Sequence, residues 1–292
     1  MCSTCGCSGD GGPVVTDLSD GGKHSHSHEH GPGHSHGHDH GPGHSHDHDH
    51  DHDHDHDHDH DHDHDHATTV THQPSTRLVD LEVEVLAKND LLAARNRGWF
   101  EGRGILALNL MSSPGAGKTS LLERTIRDLS SELSLSVIEG DQETVLDAER
   151  IRATGCRVVQ INTGSGCHLD ADMLARGLRT LDPPAQSVVF IENVGNLVCP
   201  ALFDLGEASK VVIMSVTEGD DKPLKYPHMF RAADVLLLNK LDLLPYVNFD
   251  VERCIGYAKQ INPDIEVLTM SVTRGDDLER WYDWLRRQVT AA

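Results

Sequence analysis

The chain has 292 residues, only 37% of them hydrophobic, and a formal net charge of −22, an acidity that argues against nucleic acid as the main partner. Residues 1–66 carry −14 of that charge, so the acidity is mostly a property of the N-terminal tail, and the length beyond about residue 76 suits one α/β domain. No apolar run approaches 18 residues and no secretory signal is visible; with seven cysteines this predicts a cytoplasmic protein with free thiols and no membrane insertion.

Cys2, Cys5 and Cys7 come first, in C-x-x-C-x-C spacing within residues 1–9. At that spacing several thiolates can turn onto one soft or borderline metal ion, and the α-amine of Cys2, freed by methionine removal, offers a fourth donor. A redox-active thiol cluster is the alternative. Residues 24–66 then hold twenty of the 23 histidines and neither Lys nor Arg. They repeat His-Gly-Pro-Gly-His-Ser-His at 30–36 and 40–46 and pass into strict Asp-His alternation. Such a segment cannot bury apolar surface, so 10–75 is expected to be a disordered tail and linker. Neutral imidazoles bind Ni²⁺, Zn²⁺ and Cu²⁺, and the interleaved carboxylates offset the charge of bound ions, which points to metal storage or buffering rather than pH buffering.

The folded part, 76–292, opens with a helix near 79–97 that puts Leu78, Leu81, Val85 and Leu92 on one face, to pack on the domain or across a dimer. Strands are predicted at 105–111, 135–139, 157–161, 187–191, 210–216, 234–239 and 265–270. Helices alternate with them at 118–131, 143–154, 169–181, 222–232, 250–261 and 275–289. Most strands are continuous apolar runs, as in a parallel sheet covered on both faces. The expected fold is α/β, a mostly parallel doubly wound sheet with its site at the carboxyl ends of the strands.

The chemistry sits in the loops after those strands. Residues 112–119, Ser-Ser-Pro-Gly-Ala-Gly-Lys-Thr, stand between a strand and a helix, the context a P-loop needs to surround phosphate oxygens with backbone N–H groups. Gly115, Ala116, Gly117, Lys118, Thr119 and Ser120 form the phosphate cradle; Lys118 reaches the β/γ-phosphates and the Thr119 hydroxyl binds Mg²⁺. Ser112 holds the place of the usual Gly or Ala, so the first turn must avoid positive φ or tolerate strain. Asn239, Lys240 and Asp242 form an NKxD element, whose carboxylate accepts from the N1–H and 2-amino group of guanine. Glu192 stands where many GTPases place a switch acid, with Gly195 as the γ-phosphate sensor, and Asp141 is the second acidic group at Mg²⁺. Asn196 occupies the place of the water-orienting Gln, one methylene shorter, and no arginine is marked as a finger, so hydrolysis should be slow. Cys167 and His168 lie side by side after one strand, and Cys199 lies four residues past Gly195. The adjacent Cys-His pair does not easily complete a tetrahedral shell within one subunit, and a two-fold dimer would supply the missing donors. Cys156 and Cys254 read as packing residues.

Taken together, the N-terminal cysteines, the P-loop, the 164–171 loop Gly-Ser-Gly-Cys-His-Leu-Asp-Ala, the 192–200 loop Glu-Asn-Val-Gly-Asn-Leu-Val-Cys-Pro and Asn-Lys-Leu-Asp at 239–242 resemble the HypB family of hydrogenase-maturation GTPases. The likeness spans nearly everything outside the histidine tract. It implies a SIMIBI-class P-loop GTPase using GTP/GDP and Mg²⁺, tight nickel binding at Cys2, Cys5 and Cys7, and a nickel or zinc site at Cys167, His168 and Cys199. It also implies a homodimer promoted by metal or GTP, a HypA-type accessory protein and the hydrogenase large-subunit precursor as partners. A GTPase serving urease and a nickel or zinc storage protein are the alternatives.

Overall fold

The computed structural model describes residues 13–18, 76–142, 145–164 and 166–291, without the side chains of 76–82. Cys2, Cys5, Cys7 and the histidine tract lie outside the described residues. Among the described residues eight strands form one sheet: β1 (Val14–Asp17), β2 (Leu106–Ser112), β3 (Leu135–Asp141), β4 (Arg157–Asn162), β5 (Val188–Glu192), β6 (Ser209–Ser215), β7 (Val235–Asn239) and β8 (Glu266–Thr269). Their order is β1-β4-β3-β5-β2-β6-β7-β8, and every pairing is parallel except β1 with β4. The seven strands expected from apolar runs are all present. β1 is a correction: it lies in the stretch expected to be disordered, yet Val14 pairs with Asn162 and Asp17 with Val159.

Alternate residues of the central strands face opposite layers, because side chains alternate across a strand. Leu106, Leu108 and Leu110 of β2 join Phe190, Ile213 and Leu237 in one core with α2 (Lys118–Leu129) and α9 (Leu278–Ala291). There Trp281 Nε1 donates to Thr125 Oγ1 at 3.0 Å, tying α9 to α2. Ala107, Ile138 and Val189 face α4 (Ala171–Leu181); Met111, Val212 and Leu236 face α7 (Pro227–Ala232) and α8 (Val251–Ile261). The helix expected at 222–232 is broken into α6 (Lys222–Lys225) and α7. Pro227 disfavours helical backbone at Tyr226, which sits at φ −126°.

The first helix, α1 (Thr76–Glu101), packs on α4. Its buried seam is Asn89, Ala93, Asn96 and Phe100, spaced three and four apart. Val85, assigned to the packing face from hydrophobicity, is exposed, as is Leu91. The asparagines are buried because they hold loop backbone, a tertiary role that hydrophobic periodicity does not register.

Candidate functional site

The carboxyl ends of β2, β3, β5 and β7 meet at one cavity of about 420 Å³, lined by Gly115, Gly117, Lys118, Thr119, Ser120, Asp141, Glu192, Gly195 and Lys240 among others. The 113–117 turn runs from β2 into α2, with Gly115 at φ +75° and Gly117 at φ +107°. Gly117 is needed twice over: its left-handed backbone strains any L side chain, and a Cβ there would sit 2.6 Å from Asn239 Nδ2. Ser112 ends β2 without left-handed backbone, so its departure from the usual pattern carries no strain. Its hydroxyl donates to Ser113 O at 2.6 Å and accepts from Lys118 Nζ at 2.9 Å.

Glu192 lies wholly inside the protein at the end of β5, and Thr119 Oγ1 donates to its Oε1 at 2.8 Å. Burial pushes its carboxyl up to about 7, while Lys118 and the Thr119 hydrogen bond pull it down. Its second oxygen is buried with no hydrogen-bond partner. A buried carboxylate oxygen left open beside a threonine hydroxyl fits a hard cation such as Mg²⁺, which takes oxygen donors. Asp141 lines the same cavity from the end of β3. Glu139, missed in the sequence because it falls inside a strand, pairs in register with Glu192, and burial pushes it up to about 9, with Glu192 adding to the rise. Arg150 was missed too. It faces the cavity from α3 (Leu146–Arg152), held by Glu123 at 2.7 Å and Asp147 at 3.0 Å.

At the other rim, Asn239 clamps two loops: its Nδ2 donates to Ala116 O at 3.0 Å and its Oδ1 accepts from Val272 N at 3.1 Å. Lys240, at φ +63°, donates to Gly115 O at 2.7 Å. Ser271 Oγ donates to Asp242 Oδ1 at 2.6 Å and so orients the carboxylate. Ser271 and Val272 went unnoticed in the sequence; the signal was their place just after the last apolar strand.

The second cluster lies where the loops after β4 and β5 meet. Cys167 Sγ is 3.0 Å from Cys199 Sγ and 3.7 Å from His168 Nδ1, and the donor atoms of all three residues lie within 4.8 Å of one another. One chain therefore supplies three donors, two thiols and an imidazole, a set that suits a soft or borderline divalent ion. His168 packs on Phe203, ring centroids 4.0 Å apart, and burial lowers its pKa, favouring the neutral ligand form. Cys156 and Cys254 are core residues, each thiol pushed up to about 12 by burial.

Two asparagines that follow Glu192 in the chain hold the metal loops. Asn193 Oδ1 accepts from Leu169 N at 3.1 Å, and Asn196 Nδ2 donates to Cys167 O at 3.3 Å while its Oδ1 accepts from Val198 N at 2.8 Å. Asn196, which stands in the place of the water-orienting Gln, thus has both ends of its amide bound within the metal loops.

Comparison with known proteins gives a consistent picture. Residues 106–269 match the family described as CobW/HypB/UreG, nucleotide-binding domain. The chain is 56% identical over 224 residues to the hydrogenase maturation factor HypB of Escherichia coli K12, covering 76% of this chain and 77% of that one. The crystal structure of HypB from Archaeoglobus fulgidus is similar with a TM-score of 0.66 and 42% identity, covering 70% of this chain and all of that one. HypB from Helicobacter pylori in complex with nickel gives 0.66 and 38%, covering 70% of this chain and 96% of that one.

Proposed function

The chain belongs to the CobW/HypB/UreG nucleotide-binding family and, within it, to the HypB hydrogenase maturation factors, and from that premise we propose that it is a GTP-hydrolysing nickel metallochaperone for the [NiFe]-hydrogenase large subunit. The observation that carries the proposal is that one segment, 192–199, reaches both clusters: Glu192 meets Thr119 in the phosphate cavity and Cys199 meets Cys167 at the metal cluster. GTP binds with its phosphates on 115–120 and its base on Asn239, Lys240 and Asp242. Thr119, Glu192 and Asp141 hold Mg²⁺, which supplies positive charge at the β/γ-phosphate oxygens. Gly195 senses the γ-phosphate through its N–H. Nickel is the cargo at Cys167, His168 and Cys199, a site that zinc also suits, and Cys2, Cys5 and Cys7 form a tighter site near the tail.

Asn196, one methylene shorter than the usual Gln, has its amide bonded to Cys167 and Val198, which supports slow hydrolysis and a switch rather than a turnover catalyst. Release of the γ-phosphate frees the 192–199 loop, and through Asn193 and Asn196 the metal cluster is rearranged with it. A HypA-type protein and the large-subunit precursor are the partners, the active form is a homodimer, and the compartment is the cytoplasm. Among the described residues no helix is long and apolar enough to cross a membrane.

Deleting the gene is expected to abolish hydrogenase activity, with excess nickel restoring it and urease unaffected. Failure of nickel to rescue would remove the delivery role, and a parallel loss of urease would redirect it to another enzyme. The tail is tested separately. Removing 24–66 should eliminate most weak Ni²⁺ stoichiometry in equilibrium dialysis while GTP hydrolysis and the Cys2, Cys5 and Cys7 site persist. Unchanged bound nickel would rule out storage by the histidine tract.

A further inference from the structure

We propose that α1, which lies outside the matched family region, is a structural part of the metal centre, with Asn89 and Asn96 as positioning residues that hold its two loops in register. The proposal rests on the metal reading of Cys167, His168 and Cys199. The first loop carries Cys167 and His168 and enters α4 at Ala171; the second carries Cys199 and the ring of Phe203 and ends at 204–206. Asn89 spans both. Its Oδ1 accepts from Ala171 N at 2.9 Å and its Nδ2 donates to Asp204 O at 2.7 Å. Two turns on, Asn96 repeats the bridge, donating to Ala171 O at 2.8 Å and Leu205 O at 3.1 Å. Seven residues nearly complete two helical turns, so the asparagines lie on one line facing the seam between the loops. Arg97 adds a two-pronged contact to Asp204, at 2.9 and 2.8 Å.

The backbone is fitted to the same purpose. Gly206, at φ +89°, lies so close to α1 that a Cβ would be 2.4 Å from Ala93 O and 2.7 Å from Arg97 N. Asn89 and Asn96 are nearly fully buried, so each lost amide leaves loop N–H or C=O groups without their partner inside the protein. The loops would then relax independently, and the sulfur atoms they carry would separate. A displacement of α1 therefore reaches the metal donors through the two loops that it holds.

The test uses the full chain with Cys2, Cys5 and Cys7 replaced by Ser, so that thiolate-to-nickel charge-transfer absorption reports on Cys167 and Cys199; the histidine tract contributes no thiolate. Ni²⁺ is titrated into this parent, Asn89→Ala, Gly206→Ala and the exposed control Leu91→Ala. Outer-shell partners typically contribute about 10–100-fold in metal affinity. Asn89→Ala and Gly206→Ala should each weaken the charge-transfer site at least about tenfold and shift its band, with guanine-nucleotide binding retained and Leu91→Ala like the parent. Gly206→Ala displaces the same seam with both asparagines intact, so it decides the matter should Asn89→Ala fold poorly. Parent-like titration of Gly206→Ala and of any folded Asn89→Ala would overturn the clamp alone. A parent with no band, indistinguishable from Cys167→Ser, would overturn the metal reading and the clamp with it.

Discussion

Asp242→Asn should lose GTP affinity by roughly 10- to 150-fold and gain preference for xanthine nucleotides. The carboxylate is oriented by Ser271 at 2.6 Å, which leaves it an acceptor set for the N1–H and 2-amino donors of guanine. An Asn presents an NH₂ where the base already donates. A hydrogen bond to a charged group contributes about 1.5–3 kcal/mol, and a buried donor left unmatched costs a similar amount. Xanthine carries an acceptor in place of the 2-amino group and pairs with the new NH₂. Binding of GTP, XTP and ATP to both proteins measures this. Unchanged GTP affinity in the variant would remove Asp242 from the base site.

Cys199→Ala should weaken Ni²⁺ at the Cys167 and His168 cluster by more than about 100-fold, beyond what an outer-shell contact contributes, while leaving guanine binding intact. Cys199 supplies the second sulfur, 3.0 Å from the first, and no other described His, Cys, Asp or Glu completes such a group there. Its removal leaves one thiol and one imidazole. Nucleotide affinity should stay, because the proposed base contacts lie at 239–242 and the proposed phosphate contacts at 115–120. Parallel nickel and GDP titrations separate the two functions. A loss of both would indicate that the 192–199 loop had collapsed, and unchanged nickel affinity would exclude Cys199 as a donor.

The layout of the domain was legible because its signals are local. An apolar run followed by Gly-Ala-Gly-Lys-Thr places a strand, a turn and a helix within a few residues, and β2 and α2 fall there. Cys167 and His168 could be named from residue type and Cys199 through the family resemblance, and the structure brings the donor atoms of all three together. What stayed hidden depends on tertiary partners. Of the face expected on α1, Val85 is exposed and the side chains of Leu78 and Leu81 lie outside the described residues, while Asn89 and Asn96 escaped the hydrophobic pattern because they are polar and buried by loop backbone rather than by apolar contact. Val14–Asp17 escaped notice because four residues beside a low-complexity tract carry no period, and only the exposed edge of β4 makes them a strand. Glu139 and Arg150 look like ordinary strand and helix residues until the sheet puts one beside Glu192 and the fold turns the other into the cavity. Motif position puts Asn196 where the water-orienting Gln usually stands, and its contacts with Cys167 and Val198 depend on how two loops meet, which no local pattern carries.

The central claim is that nucleotide state sets metal affinity through 192–199. The most direct measurement is a Ni²⁺ titration of the chain carrying Ser at 2, 5 and 7, loaded in turn with GDP and with a non-hydrolysable GTP analogue, read by thiolate-to-nickel absorption. A useful switch needs coupling of about 1–3 kcal/mol, so the affinities should differ by roughly 5- to 150-fold, and by reciprocity nickel should shift the preference between the two nucleotides by the same factor. Equal nickel affinity in both nucleotide states would contradict the claim and leave GTP with no part in releasing metal from this site.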